Sequence, residues 1–404
     1  MTGWFPSEGT SFSSPFVYYQ VLELSKFFDE VHVISMQPQV PKMFRKKKIL
    51  EALGMKNRWH KDIYSEHYAE DYRMGNISVH YVKYLLPPNS VFRGIFWRRA
   101  VSKIRSLISR EKLEFSLIHA HFLWPSGYVA AHLKKYYGVP VVVTGHGSDV
   151  YVLPFKNASW RKRIEYSLRM ADSIITVGKK NRDIMVSKLG VPEEKVSVIP
   201  NGYSSEIFAP MDMAEARKAL NIPPDRKVLL TAGNLLPVKG HRYLIEAIDL
   251  VRKRRKDVLC IIVGSGPLET ELREQIRALG LEDHIWLVGG RPYDEMPVWM
   301  NACDVFVLPS LNEGNPTVMF ETIGCGKPFV GTTVGGVPEA ISDDRIGLLV
   351  PPADSTALAV AILKALEMDW DQAYIRNYAE KYTTSSVAKE IFLLYEKLWK
   401  NKGR

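Results

Sequence analysis

Val305-Phe306-Val307-Leu308-Pro309-Ser310-Leu311-Asn312-Glu313-Gly314-Asn315-Pro316-Thr317-Val318-Met319-Phe320-Glu321 reads as a strand, a loop and the opening of a helix. The apolar run Val305–Leu308 is strand-like, and the helical run that follows ends at Gly324-Cys325-Gly326. Glu313 therefore sits on a loop at the C-terminal end of a strand, where open α/β sheets bind ligands. Gly314 and Pro316 open the helix, whose free backbone N–H groups make an anion site. Eight residues are a little over two helical turns, so Glu321 can return towards the same crevice. One acid at a loop tip, an anion hole and a second acid below would suit a sugar, a pyrophosphate and a ribose in a row. Taken alone, the pair also fits two ordinary surface glutamates, and only the surrounding order separates the two readings.

That order continues as Lys327-Pro328-Phe329-Val330-Gly331-Thr332-Thr333-Val334-Gly335-Gly336-Val337-Pro338-Glu339. With it the chain resembles a retaining GT-B glycosyltransferase of family 4, the glycosyl transferases group 1. The resemblance covers nearly the whole chain and is strongest from Val196 to Pro352. It implies an α/β fold of two Rossmann-like domains facing a central cleft. Residues 1–203 would form the acceptor-binding domain, 204–384 the nucleotide-sugar domain, and the tail helix of 385–404 would cross back to the first. It also implies donor binding by Glu313, Gly314, Asn315, Pro316, Thr317 and Glu321, with Glu313 serving catalysis as well.

The chain has 404 residues, too long for one ordinary core, so two α/β domains are the natural expectation. No run of eighteen apolar residues occurs, and Met1-Thr2-Gly3-Trp4-Phe5-Pro6 lacks the basic and apolar regions of a signal peptide. Cys260, Cys303 and Cys325 lie far apart, with no CxxC, and read as buried small apolar residues in a reducing cytoplasm. The net charge of +10 is uneven. Residues 1–200 carry 30 Lys and Arg against 17 Asp and Glu, and residues 201–404 carry 24 against 27.

Strand-like and amphipathic helical runs alternate from end to end, the pattern of parallel sheets. In the first half, strands are expected near Val31–Ser35, Ile77–Leu85, Leu117–His121, Val139–Thr144, Ser173–Val177 and Val196–Pro200, with helices at Pro125–Tyr137 and Trp160–Met170. Asn201-Gly202 opens a linker. The second half restarts with strands at Lys227–Ala232, Val258–Val263, His284–Val288, Val305–Pro309, Pro328–Thr332 and Gly347–Val350, with an amphipathic helix at His241–Arg255. At the start, the turn Pro6-Ser7-Glu8-Gly9 leaves only Met1–Phe5 for a first strand, where members of the family open with a longer apolar one. Losing that central strand would expose the edges of its neighbours, so Met1 is expected to be an internal methionine of a longer reading frame.

Gly233-Asn234-Leu235-Leu236-Pro237-Val238-Lys239-Gly240 follows a strand and precedes a helix. A lysine there reaches a pyrophosphate beside the helix dipole, although a solvated loop lysine has the same look. The resemblance assigns Lys239 to the donor phosphates and to catalysis. It puts Asn234 where the family has a second cation, a lighter clamp by one charge. Gly264-Ser265-Gly266-Pro267 lacks the third glycine of a dinucleotide fingerprint, because Glu269 occupies that position. By resemblance, Gly266 lines the nucleotide side of the cleft and Arg291 falls where the base is held.

In the first half, Thr144-Gly145-His146-Gly147-Ser148-Asp149 ends a strand. A lone histidine there is commonly structural; the resemblance makes His146 a catalytic residue facing the transferred sugar. His119 and His121 end the preceding strand, with His121 facing the cleft. Gly9 can approach the pyrophosphate through its backbone. Two basic segments, Pro41–Leu50 and Val91–Ile108, interleave aromatic and cationic residues at helical spacing and suit an anionic bilayer as well as a solvated helix face. Nucleic acid is not expected, because no binding motif accompanies the charge.

No metal cluster stands out in the sequence, and the class is expected to work without a cofactor or a metal. The expected activity is hexosyltransferase-type. A UDP- or GDP-sugar donor would react with a glycolipid or polysaccharide acceptor, with retention, in cell-surface polymer or glycolipid synthesis. The protein would be cytoplasmic, and could sit at the inner face of the membrane. Competing readings are a GT-B-shaped sugar-nucleotide epimerase, for which first-domain catalytic acids are missing, and a non-catalytic nucleotide-sugar or nucleic-acid binding protein.

Overall fold

The computed structural model describes residues 1–3, 5–6, 15–39, 70–85 and 93–402. The chain divides into two compact units. The first comprises Met1–Val177, Asn181–Ile199 and Lys389–Arg404, and the second Gly178–Lys180 and Pro200–Ala388.

The first unit carries β1 (Val31–Gln39), β2 (Tyr72–Met74), β3 (Ile77–Leu85), β4 (Ile118–His121), β5 (Val141–Gly145), β6 (Ser173–Thr176) and β7 (Val196–Val198). They form two ladders, β1-β3-β2 and β4-β5-β6-β7. All pairs are parallel except β2 with β3, which the alternation of the sequence did not foretell. Gly75-Asn76 closes that hairpin, with Gly75 at φ 57°, and a two-residue turn joins only antiparallel strands. β5 and β6 are buried on both faces, as a parallel sheet covered by helices requires.

Met1 and Thr2 lie between the two ladders. Thr2 N–H donates to Ile34 and Met36 N–H to Thr2. The Met1 amino group donates to the His119 carbonyl, and His121 N–H to the Met1 carbonyl. Beyond Met1 the facing edges of β1 and β4 part around a cavity of about 660 Å³ lined by Val31–Ile34, Val17, Val21, Leu24, Phe115, Ile118 and Leu133, among others. Val31 N–H turns to β3 and Ile118 N–H to β5, so the alternation of the strands turns Ile34 N–H, His32 C=O, His119 N–H and Leu117 C=O into this slot.

Ahead of the helix Tyr128–Tyr137 the chain forms a wide turn at Leu123–Gly127, so the helix expected from Pro125 begins three residues later. The helix Arg93–Arg110 spends Ala100, Val101, Ile104, Leu107 and Ile108 in the core and exposes Arg98, Arg99, Lys103 and Arg105. The last helix, Thr384–Lys402, belongs to the first unit from Lys389 onwards; there Phe392 stacks on Phe27 at 4.6 Å. Gly9, Pro41–Leu50, Val91 and Phe92 lie outside the described residues.

The second unit holds one six-stranded parallel sheet built from β8 (Lys227–Ala232), β9 (Val258–Val263), β10 (Ile285–Gly289), β11 (Val305–Leu308), β12 (Phe329–Thr332) and β13 (Gly347–Val350). Its order is β10-β9-β8-β11-β12-β13. The sheet grows one way from β8 and the other way from β11, so their C-terminal ends frame a topological switch point, the crevice where such sheets bind ligands. The three cysteines are fully buried, and burial pushes the thiols of Cys260 and Cys303 up to about 12.

Candidate functional site

The loops after β8 and β11 meet over the switch point. Leu311 N–H donates to the Val238 carbonyl, which ties one loop to the other. Across this contact the Lys239 ammonium pairs with Glu313 Oε1 at 2.7 Å, and the Ser310 hydroxyl donates to the same oxygen at 2.6 Å. Ser310 is fully buried, and its carbonyl in turn accepts from the Thr332 hydroxyl. Glu313 therefore carries one cation and one neutral donor at the tip of a loop held from below. The 3-10 turn Pro237–Lys239 sets the lysine, and Gly240, at φ 67°, ends it where a Cβ would meet the Pro309 carbonyl at 2.0 Å.

The glycine pair after β12 closes the opposite side. Gly335, at φ 56°, leaves no room for a side chain, since a Cβ would meet the Glu313 carbonyl at 2.0 Å. Gly336 N–H donates to the Gly314 carbonyl. Asn315 accepts from Asn201 N–H through its side chain and from the Asn201 amide through its carbonyl. Pro316 precedes the helix Thr317–Gly324 and carries no side-chain cap, so the N–H groups of the first helical turn lack a side-chain acceptor.

Glu321 is turned elsewhere. It is only 5% exposed, and its Oε1 accepts from the Tyr293 hydroxyl at 3.0 Å, on the loop after β10. Burial pushes its carboxyl up to about 7, against the pull of hydrogen bonds from Tyr293 and Thr317. Glu313 thus faces the β8 loop and Glu321 the β10 loop, and both stand at the C-terminal edge of one sheet. Gly266 lies in the loop after β9, packed so tightly that a Cβ would meet the Leu235 carbonyl at 2.6 Å. Arg291 is exposed, its guanidinium 5.4 Å from the Trp299 ring. Asn234 is exposed, and its backbone carbonyl accepts from Leu236 N–H.

In the first unit, His146 follows β5. The buried Asp149 accepts from His146 N–H, Gly147 N–H and Leu123 N–H, which fastens the β4 and β5 loops together. Burial raises the Asp149 carboxyl, and those backbone donors oppose it. His146 Nε2 meets His121 Nδ1 at 3.2 Å, with the rings of Phe16 and Phe122 at 4.9 and 4.6 Å. His119 is structural: it joins Tyr395 and Thr144 at 2.5 and 2.7 Å, and burial pushes it down to about 3. Burial also holds His121 well below the usual histidine range.

The sequence reading missed Ser310, Tyr293 and Asn201. Ser310, three residues before Glu313, was within reach of a spacing argument. Tyr293 and Asn201 join their partners only through tertiary structure.

Two family models match. Residues 212–382 match glycosyl transferases group 1, and residues 16–206 match glycosyltransferase family 4. The chain belongs to the group 1 glycosyltransferases. It is 32% identical to the candidate teichuronic acid biosynthesis glycosyltransferase TuaC of Bacillus subtilis, over 66% of this chain and 65% of that protein. It is also 32% identical to a D-inositol 3-phosphate glycosyltransferase of Paenarthrobacter aurescens, over 58% of this chain and 60% of that one. Each match thus spans less than two thirds of the relative's own length. Among solved structures, sucrose-phosphate synthase from Thermosynechococcus elongatus aligns with a TM-score of 0.73 at 20% identity, covering 95% of this chain and 93% of that one. Anabaena HepE in complex with UDP aligns at 0.70 and 20%, covering 95% and 96%. The fold is the GT-B α/β class. Among the described residues, no helix is long and apolar enough to cross a membrane.

Proposed function

We propose that the chain transfers a sugar from a UDP- or GDP-sugar held by the second unit to a glycolipid or polysaccharide acceptor, with retention of configuration. The observation that carries this reading is the Lys239–Glu313 pair, set across the β8/β11 switch point at 2.7 Å. A diphosphate entering there meets an ammonium already fixed by a carboxylate, beside the N–H groups of the helix Thr317–Gly324. Lys239 then stabilises charge as it develops on the leaving diphosphate, and Glu313 holds the lysine and takes hydrogen bonds from the sugar. Glu321, at the far loop, accepts from the ribose. His146 donates to a hydroxyl of the transferred sugar.

The relatives support the same classes of partner. HepE has been crystallised with UDP, with UDP and glucose, and with UDP-glucose. TuaC carries a name from teichuronic acid biosynthesis. The reading extends to a peripheral contact with anionic membrane at the inner face, through Arg98, Arg99, Lys103 and Arg105. This contact would be mainly one of charge, because Ala100, Val101, Ile104, Leu107 and Ile108 of that helix are buried in the core. A thermal-shift screen of nucleotide sugars, followed by a donor-hydrolysis assay on any that bind, tests the activity. Stabilisation by one donor with slow release of its nucleoside diphosphate is expected. A protein that binds no nucleotide sugar, or binds one and never releases the diphosphate with any acceptor, contradicts it.

A further inference from the structure

We infer that Tyr293 is a positioning residue for the donor's ribose, acting through Glu321; the inference rests on the donor reading above. Glu321 is a nearly fully buried carboxylate with no Lys, Arg or His in salt-bridge contact among the described residues. Left alone, such a group would take up a proton and become a donor itself. The Tyr293 hydroxyl donates to Oε1 at 3.0 Å and opposes that outcome. The tyrosine is held in turn. Pro292, at φ −55°, leads into the 3-10 turn Tyr293–Glu295, and the fully buried Phe208 meets the ring edge-on at 5.3 Å. An ionised carboxylate offers about four lone-pair directions over its two oxygens. With Oε1 engaged by Tyr293, Oε2 stays turned to accept from a ribose hydroxyl at the sheet's C-terminal edge.

The groups that face Glu321 are few. Thr317 lies one turn earlier on its own helix and donates to it, Cys325 lies one turn later, and Tyr293 comes from the β10 loop. Burial drives the Cys325 thiol upward, so it stays protonated and adds no charge at neutral pH. The acidity of Glu321, pushed up to about 7, therefore rests on burial and these two hydroxyls. The ionised form accepts from the ribose more strongly than the neutral acid, so nucleotide affinity rises as pH climbs through that value. Removing the tyrosine hydroxyl favours the protonated acid and moves the rise to higher pH.

Calorimetric titration of UDP and GDP from pH 5.5 to 8.5 reads this directly, on the parent, Tyr293→Phe and Glu321→Gln. Whichever nucleotide the parent binds is repeated as its 2′-deoxy form. Phenylalanine keeps the ring that Phe208 packs against, so the variant is expected to fold. For Tyr293→Phe the midpoint should rise by about one pH unit, with roughly fivefold weaker binding at pH 7. The penalty for the 2′-deoxy nucleotide should shrink, and Glu321→Gln should bind weakly at every pH. If Tyr293→Phe matches the parent in affinity and midpoint while Glu321→Gln is weak and flat, Tyr293 has no such role and the donor site stands. If Glu321→Gln binds like the parent, the donor reading fails, and this inference with it.

Discussion

Lys239 and Glu313 share one carboxylate oxygen with Ser310, so removing either charge strands the other in a half-covered crevice. A charged hydrogen-bond partner is worth roughly 1.5–3 kcal/mol. Lys239→Ala should thus weaken nucleoside diphosphate binding ten- to hundredfold, whereas Asn234→Ala, at an exposed side chain, should change it little. Asn234→Arg should be tolerated or tighten binding, and equal diphosphate affinities for all three variants would sink the assignment. Glu313→Ala should lower turnover more than it lowers donor affinity. Glu321 tells against itself as a structural residue. Its folded pKa lies above the unfolded glutamate value, so the folded state binds the extra proton and stability falls as pH rises from about 4.5 to about 7. A shift of that size costs roughly 3 kcal/mol at pH 8. Thermal melts should find Glu321→Gln more stable than the parent at pH 8, with the difference vanishing near pH 4.5. A glutamine variant less stable at pH 8 would show that the carboxylate is structural after all. At this scale the sequence singles out Glu313, Glu321 and Lys239 because loop position and order mark them. Tyr293 stayed hidden because its partner lies 28 residues away and is reached only through the sheet.

Among the elements, the parallel strands were the most legible. Apolar runs place β8 and β9 to the residue, because strands buried on both faces need no alternation, and β3 and β13 also fall where the sequence puts them. The three-residue β2 was not legible, since its pairing depends on the Gly75-Asn76 turn and on β3 rather than on its own composition. The slot between β1 and β4 has room for an extended segment of about four residues, at about 3.3 Å each. Adding Val-Ile-Val-Ile in front of Met1 should fill it, pair Ile34, His32, His119 and Leu117, and raise the melting temperature by several degrees. Ser-Gly-Ser-Gly should give no such rise. Equal melting of the two extended forms would mean that the slot does not admit a strand. The helix Arg93–Arg110 makes a second prediction. Ala100, Val101, Ile104, Leu107 and Ile108 are used in the core, so binding to anionic liposomes should be lost between 0.1 and 1 M salt, where the Debye length falls from about 10 to about 3 Å. Replacing Arg98, Arg99, Lys103 and Arg105 by glutamine should release the protein, and salt-resistant or equal binding to neutral liposomes would contradict a contact made by charge.

At the level of the whole molecule, the basic balance of the first 200 residues and the acidic balance of the rest suit two tasks, an anionic or membrane-borne acceptor and a donor whose phosphates need only a few fixed cations. The chain forms two compact units, and in the sequence the alternation of strand and helix runs restarts after Asn201-Gly202. The sugar, the base and the acceptor have no comparable signature, because they are chosen by side chains from several loops at once. The central claim is a diphosphate site at the β8/β11 switch point. Calorimetric titration of UDP and GDP into the parent and into Lys239→Ala tests it most directly. The account predicts saturable one-to-one binding of at least one nucleotide by the parent, weakened at least tenfold in the variant. Binding of neither nucleotide by the parent, or equal affinity in both proteins, would contradict it.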